Sequence, residues 1–168
     1  QGNIVDMLYA PLSAVEVSLA IILAALTRSF LIAVISIVVF SLIIEIPIHN
    51  VFYILIFGFL GSFILGSLGF ITGLWAEKFD HTATITNFII TPLSFLSGAF
   101  YSINKLPELF QIISYVNPFF YMIDGFRYGF LGASDGSISV GIIYLTVMCF
   151  ILGFLAYHLY KIGYKIKS

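Results

Sequence analysis

Residues 51–75 read VFYILIFGFLGSFILGSLGFITGLW, an uninterrupted stretch without one charged side chain. A helix crossing a hydrocarbon layer of about 30 Å needs about 20 apolar residues, so this stretch is long enough to span. Upstream, residues 14–46 carry only Glu16, Arg28 and Glu45 as charges. At about 1.5 Å per residue they would measure about 50 Å, too long to lie wholly in lipid. Arg28 is costly at a bilayer centre, which places it near an interface and the spanning part at 29–46, with 14–27 as an interfacial approach or a tilted continuation. Pro47 and Asn50 make a short turn at 46–50. Downstream, Glu77, Lys78, Asp80 and His81 form a polar loop, followed by a third span at 84–101, kinked at Pro92 because proline removes a backbone donor. Residues 138–160 form the last span, with Lys161, Lys165 and Lys167 behind it.

The whole composition agrees. Of 168 residues, 61% are hydrophobic and 9% charged, against about 25% charged in an ordinary globular domain. The aromatic content of 17% argues against disorder. A net charge of −1 offers no basic field for nucleic acid. The single cysteine, Cys149, permits no internal disulfide. The expected fold is an all-α polytopic transmembrane bundle of four spans with one domain, 1–168. The lysine-rich tail predicts a cytoplasmic C-terminus, with Lys78 also inside, Arg28 at the inner end of the first span, and Lys105 and Arg127 outside.

Residues 102–137 differ from the rest. They mix polar residues and turn formers with two apolar pieces, 106–116 and 119–131, each too short to span. Such pieces read as an external re-entrant or interfacial helical hairpin, with Pro118 where one helix stops and the next starts. Asp124 and Arg127 sit three apart, so on a helix they can pair. Ionisable groups at membrane depth raise the question of a site, and a matched pair also answers it structurally by pinning the hairpin. In the second span Gly58, Ser62, Gly66, Gly69 and Gly73 follow steps of 4, 4, 3 and 4, one helical face that lets another helix approach closely. The aromatic residues around 95–130 suit an interfacial belt or a greasy lateral gate.

Much chemistry is missing from the sequence. No GxxxxGK[ST] phosphate loop occurs, so the chain would bind no ATP in the usual way. His49, His81 and His158 are isolated and give no metal-ligand spacing. No HExxH motif occurs. The spans lack a buried unpaired carboxylate, which disfavours an ion-coupled carrier. A lipid-modifying membrane enzyme would have to work at Asp124 and Arg127.

The run TPLSFLSGAFYS at 91–102, then Leu106, Pro107, Gln111, Asn117, Pro118, Tyr121, Asp124 and FRYGFLG at 126–132, closely resembles the C-terminal half of ABC-2 type transporter permeases. GNIVDMLYAPLS at 2–13 resembles the cytoplasmic stretch before that family's third span. The resemblance implies six spans per subunit, of which this chain supplies spans three to six. It also implies a second copy of the chain, a separate ATP-binding subunit, and export of lipid-linked, glycan or hydrophobic substrates across a bacterial inner membrane. ATP and magnesium would belong to the partner, leaving this chain without cofactor or catalytic residue. By the same resemblance, the stretch 1–13 would couple to the ATPase through Asp6, Leu8, Tyr9, Pro11 and Leu12, and the hairpin residues Pro107, Asn117, Pro118, Asp124 and Arg127 are a feature of the family.

Overall fold

The computed structural model describes residues 12–76 and 80–163, and the backbone of Phe79. Its regular structure is entirely helical among the described residues. Three helices are long and apolar enough to cross a membrane: α1 (Ala14–Ser41), α2 (Val51–Trp75) and α7 (Ile138–Lys161). Between the last two lie α3 (Phe79–Ile85), a π-helical turn (Thr86–Ile90), α4 (Thr91–Phe95), a 3-10 turn (Ile103–Lys105), α5 (Glu108–Val116) and α6 (Pro118–Leu131).

Helix α1 starts where the sequence supplies a capping box. Ser13 Oγ accepts from the Glu16 N–H, and the Glu16 carboxylate accepts from the Ser13 N–H at 2.7 Å. The helix then runs unbroken for 28 residues, about 42 Å. This corrects the sequence expectation of a span at 29–46. The helix ends at Ser41, so only its last 13 residues belong to that range, too few to cross alone. Arg28, expected at an end, is the fifteenth of the 28 residues. Leu, Ile and Ala on both sides of it favour helix, and one arginine does not interrupt backbone hydrogen bonding.

The expected third span is the second difference. Helical segments of seven, five and five residues, 17 in all, replace it, ending at Phe95 and not at residue 101. That is about 25 Å, short of the hydrocarbon thickness. Pro92 explains the interruption, since its ring cannot donate and crowds the preceding turn. The strained turn widens into a π-bulge. There the Thr86 carbonyl accepts from both the N–H and the hydroxyl of Thr91. Gly98, at φ +75°, then turns the chain away. Asp80 and His81 lie in α3, not in a loop, and Asp80 suits the positive end of that helix. Glu77 and Lys78 fall outside the described residues.

Helix α2 is the axle, touching α1, α6 and α7. It buries Phe57, Leu60 and Ile64 against Phe120, Met122 and Leu145. Helix α6 runs antiparallel to it, with Met122 beside Gly61 and Gly129 beside Ile54. The backbones approach because α6 lacks side chains there. A Cβ on Gly129 would lie 2.8 Å from the Ile54 amide nitrogen, and one on Gly125 would lie 2.3 Å from the Phe57 ring. The C-terminus of α6 closes on Gly132 at φ +71°, while the N–H groups of His49 and Asn50 donate to the Gly129 carbonyl.

The outside of the bundle is apolar. Phe30, Ile35, Phe59, Phe150 and Phe154 all point outward. Helix α5 is inverted relative to a soluble amphipathic helix. Leu109, Ile112, Ile113 and Val116 form an exposed stripe while Ser114 is buried. Water would not tolerate so continuous an apolar surface, and hydrocarbon does.

The glycine contacts separate two kinds of position. Gly129→Ala is expected to destabilise the folded protein by about 1–3 kcal/mol through overpacking. Gly73→Ala meets open space and is expected to be neutral or slightly stabilising. Thermal unfolding in detergent, followed by fluorescence-detected gel filtration, distinguishes them; equal losses would refute the packing argument.

Candidate functional site

Two places stand out, a cluster of polar side chains and a mainly apolar groove. The first is the end of the bundle where α6 finishes and α7 starts. Asp124 is buried, with 3% of its side chain exposed. One of its oxygens meets Arg127 Nη2 at 2.5 Å and the Asp135 N–H at 2.8 Å; the other meets the Gly136 N–H at 3.0 Å. Arg127 also pairs with Asp135 at 3.0 Å and donates to the Gly98 carbonyl at 3.4 Å. Asp135 in turn accepts from Ser102 Oγ, the Ile103 N–H and Asn104 Nδ2. Burial works against the Arg127 charge, and the hydrogen bonds and charges of Asp124 and Asp135 offset that cost. Asp124 and Arg127 are brought together as expected, and Asp135 joins them. Both carboxylates are engaged by donors, which makes the cluster a clamp more than an acid–base pair. No group of three or more potential metal ligands occurs among the described residues.

Asn117 secures the other end of α6. Its Oδ1 accepts from the Phe119 N–H, capping the helix, and Pro118 takes the first helical position. Its Nδ2 donates at 2.6 Å to the Leu93 carbonyl near the end of α4. Tyr144 of α7 donates to the Val116 carbonyl at 2.7 Å. Pro107 is the N-cap residue of α5.

The second place is a groove of about 680 Å³ between α1 and α2. Arg28, Ser62, Gly66, Gly69, Gly73 and Tyr160 are among its lining. The glycine face of α2 therefore divides. Gly58 meets Phe126 of α6, and Gly66 meets Ala25 of α1 with the two Cβ positions 3.0 Å apart. Gly69 and Gly73 face open space. Leu12 is exposed just before α1, and Asp6, Leu8, Tyr9 and Pro11 lie outside the described residues. The close-approach residues Gly125 and Gly129 were not singled out from the sequence, although their GxxxG spacing carries the signal.

The sequence pattern of the ABC-2 type transporter family matches residues 1–131. The chain belongs to the ABC-2 type transporter family. It is 29% identical over 154 residues to the inner membrane transport permease YadH of Escherichia coli, covering 90% of this chain and 60% of that one. It is 34% identical over 87 residues to the capsule polysaccharide export inner-membrane protein BexB of Haemophilus influenzae, covering 50% and 32% of the two chains. Nodulation protein J of Sinorhizobium fredii is 29% identical over 97 residues, 58% of this chain and 37% of that one. The chain thus spans about 60% of the length of the YadH relatives. No solved structure matches it. The ABC-2 match ends at Leu131, so it takes in Asp124 and Arg127 but not Asp135, their third partner.

Breaking a buried pair by removing one partner costs about 3–5 kcal/mol, because the remaining charge is stranded. Arg127→Ala strands two carboxylates and is expected to lose that much stability. Arg127→Ala on an Asp124→Asn, Asp135→Asn background should lose clearly less. Denaturant unfolding of the four variants checks this, and additive losses would show that the three side chains are independent.

Proposed function

We propose that this chain is the membrane-spanning permease subunit of an ATP-binding-cassette exporter in a bacterial inner membrane. The carrying observation is the family match over residues 1–131 in a chain whose helices expose apolar side chains. The names of YadH and of the capsule polysaccharide export protein BexB support transport through an inner membrane. The cargo class is a lipid-linked, glycan or hydrophobic molecule, suited by the apolar, aromatic surfaces. ATP and magnesium are bound by a separate subunit, and the permease works as a pair of identical chains.

In this reading the kinked run from Phe79 to Phe95, with the turn after it, is a fourth membrane segment. Helices α5 and α6 enter and leave the membrane from one side as a re-entrant hairpin. The support is the linkage of Ser102, Ile103 and Asn104 to Asp135, which ties together the two ends of that hairpin. The C-terminus is cytoplasmic, as its lysines favour. The stretch 1–13 docks in a cleft of the ATPase through Asp6, Leu8, Tyr9, Pro11 and Leu12, so that closure of the ATPase moves α1.

The test is purification of the full-length chain in mild detergent after co-expression with an ATP-binding subunit of the same cell. Co-purification of the two, with ATP hydrolysis confined to the complex, is the expected result. The double variant Asp6→Lys, Leu8→Asp should accumulate in the membrane and lose the partner by about tenfold or more. Hydrolysis of ATP by the permease alone, or recovery without any ATPase, overturns the reading.

A further inference from the structure

The run from Phe79 to Phe95 changes helical register part-way, and Thr91 marks the place. Its N–H donates to the Thr86 carbonyl, five residues back, where a regular helix would reach Asn87, four back. Its hydroxyl follows, donating to the same carbonyl at 2.9 Å. Other hydroxyls of the run reach four back: Thr84 to Asp80, Thr86 to Thr82 and Ser94 to Ile90. Such bonds weaken and bend a helix. Thr91 is the exception in reaching five, and Asn87 offers it the ordinary bond for both N–H and hydroxyl. Pro92 has no N–H to give to Asn87 or to Phe88, five and four residues back. A carbonyl therefore goes without its helical donor in either register, and that cost favours neither.

The two sides of the π-helical turn are fastened to different parts of the bundle. After it, Asn117 Nδ2 donates to the Leu93 carbonyl at 2.6 Å and Arg127 to the Gly98 carbonyl, while Ser102, Ile103 and Asn104 donate to Asp135. Ile90 and Leu93 pack against the core. Before it, the ring of His81 in α3 lies 5.4 Å from that of Trp75, the last residue of α2. So α4 belongs mechanically to α6 and the loop entering α7, and α3 to the end of α2. The weakest stretch of backbone joins them.

We infer that residues 86–91 are a two-register joint, which passes between the π turn seen here and an α-helical form in which Thr91 donates to Asn87. Closing the turn hands one residue back to the helix. That rotates α3 by about 100° against α4 and lengthens the run by about 1.5 Å. The joint itself follows from the backbone; its use in transport rests on the exporter reading above. There α3 is the cytoplasmic half, and nucleotide binding to the ATP-binding subunit turns it while the Asp124 cluster keeps the external half in place.

Electron–electron distance measurements on the full-length chain in nanodiscs test this, with labelled chain diluted in unlabelled chain. One spin label sits at Lys161→Cys on α7 and the other at Asp80→Cys or Thr82→Cys, all on a Cys149→Ala background. Positions 80 and 82 are about 200° apart around α3, so rotation moves their distances in opposite senses and bending moves them in the same sense. Pro92→Ala supplies an N–H to Phe88 and favours the α-helical form. Deleting Ile89 sets Thr86 four residues before Thr91, so both bonds persist in an ordinary helix. Without nucleotide, both changes are expected to shift the two distances oppositely, by on the order of 5 Å. Shifts in one sense, or none with Pro92→Ala, overturn the joint. The chain without Ile89 should also melt close to the unaltered chain, and a chain without Val147, in the regular middle of α7, far below it. Equal losses from the two deletions overturn the inference as well. In the complex with the ATP-binding subunit, trapped ATP should produce the Pro92→Ala distances in the unaltered chain; distances that stay put overturn the role in the cycle. A chain that recruits no ATPase fails the exporter reading alone, because the nucleotide-free comparison needs none.

Discussion

A carboxylate removed from water must be met by donors on its oxygens, and Asp124 is met by three: Arg127 and the N–H groups of Asp135 and Gly136. Two of those donors belong to the backbone of the loop entering α7, so the demands of one buried side chain fix where that loop runs. Arg127 carries the constraint to the Gly98 turn, and Asp135 carries it to Ser102, Ile103 and Asn104. The connection after α4, helix α6 and the start of α7 are thereby indexed to one point. In a medium that offers few hydrogen bonds, such a network is worth keeping only when every member is satisfied. Asp124 sits three residues before Arg127 on one helical face, which lets both belong to the same cluster.

Packing then follows without help from the hydrophobic effect between helices, because lipid is as apolar as leucine. Close van der Waals contact has to supply the attraction. Helix α6 achieves it by omitting side chains at Gly125 and Gly129, so that Phe57 and the Ile54 backbone fill the space. On the far side of α2, Gly66 admits Ala25 of α1 while Gly69 and Gly73 meet nothing. One helix thus has a tightly engaged face toward α6 and a face toward α1 engaged only in part. The partial engagement leaves the groove, and it also leaves α1 less constrained than α6.

The bounds of α2 and the two short helices around Pro118 were legible because their signals are local. Uncharged length marks the first, and Asn-Pro with flanking apolar pieces marks the second. The Asp124–Arg127 pair was legible for the same reason, as spacing on one helix. Asp135 was not, since it lies outside the helix and reaches its partners through a fold no spacing encodes. The end of α1 was misjudged because residues 42–46, Glu45 apart, are as apolar as those before them. Beyond the helix, the N–H groups of His49 and Asn50 dock on the end of α6, a tertiary contact. The π-turn before Pro92 reflects how a proline kink is absorbed, which depends on whether Thr86 and Thr91 can share one carbonyl. The glycine stripe of α2 was visible as a pattern, but a pattern of small residues does not say which partner arrives or whether any does.

Charge placement separates scaffold from candidate machinery. Where a charge finds its complement within the chain, as in the cluster of Arg127, Asp124 and Asp135, the interaction is already complete in the folded subunit and serves to hold it. Arg28 is the opposite case, a permanent cation half-way along an apolar helix on the wall of an open groove, with no complement among the described residues. Retaining such a group costs the folded state, and an uncharged residue of similar length would pack more cheaply.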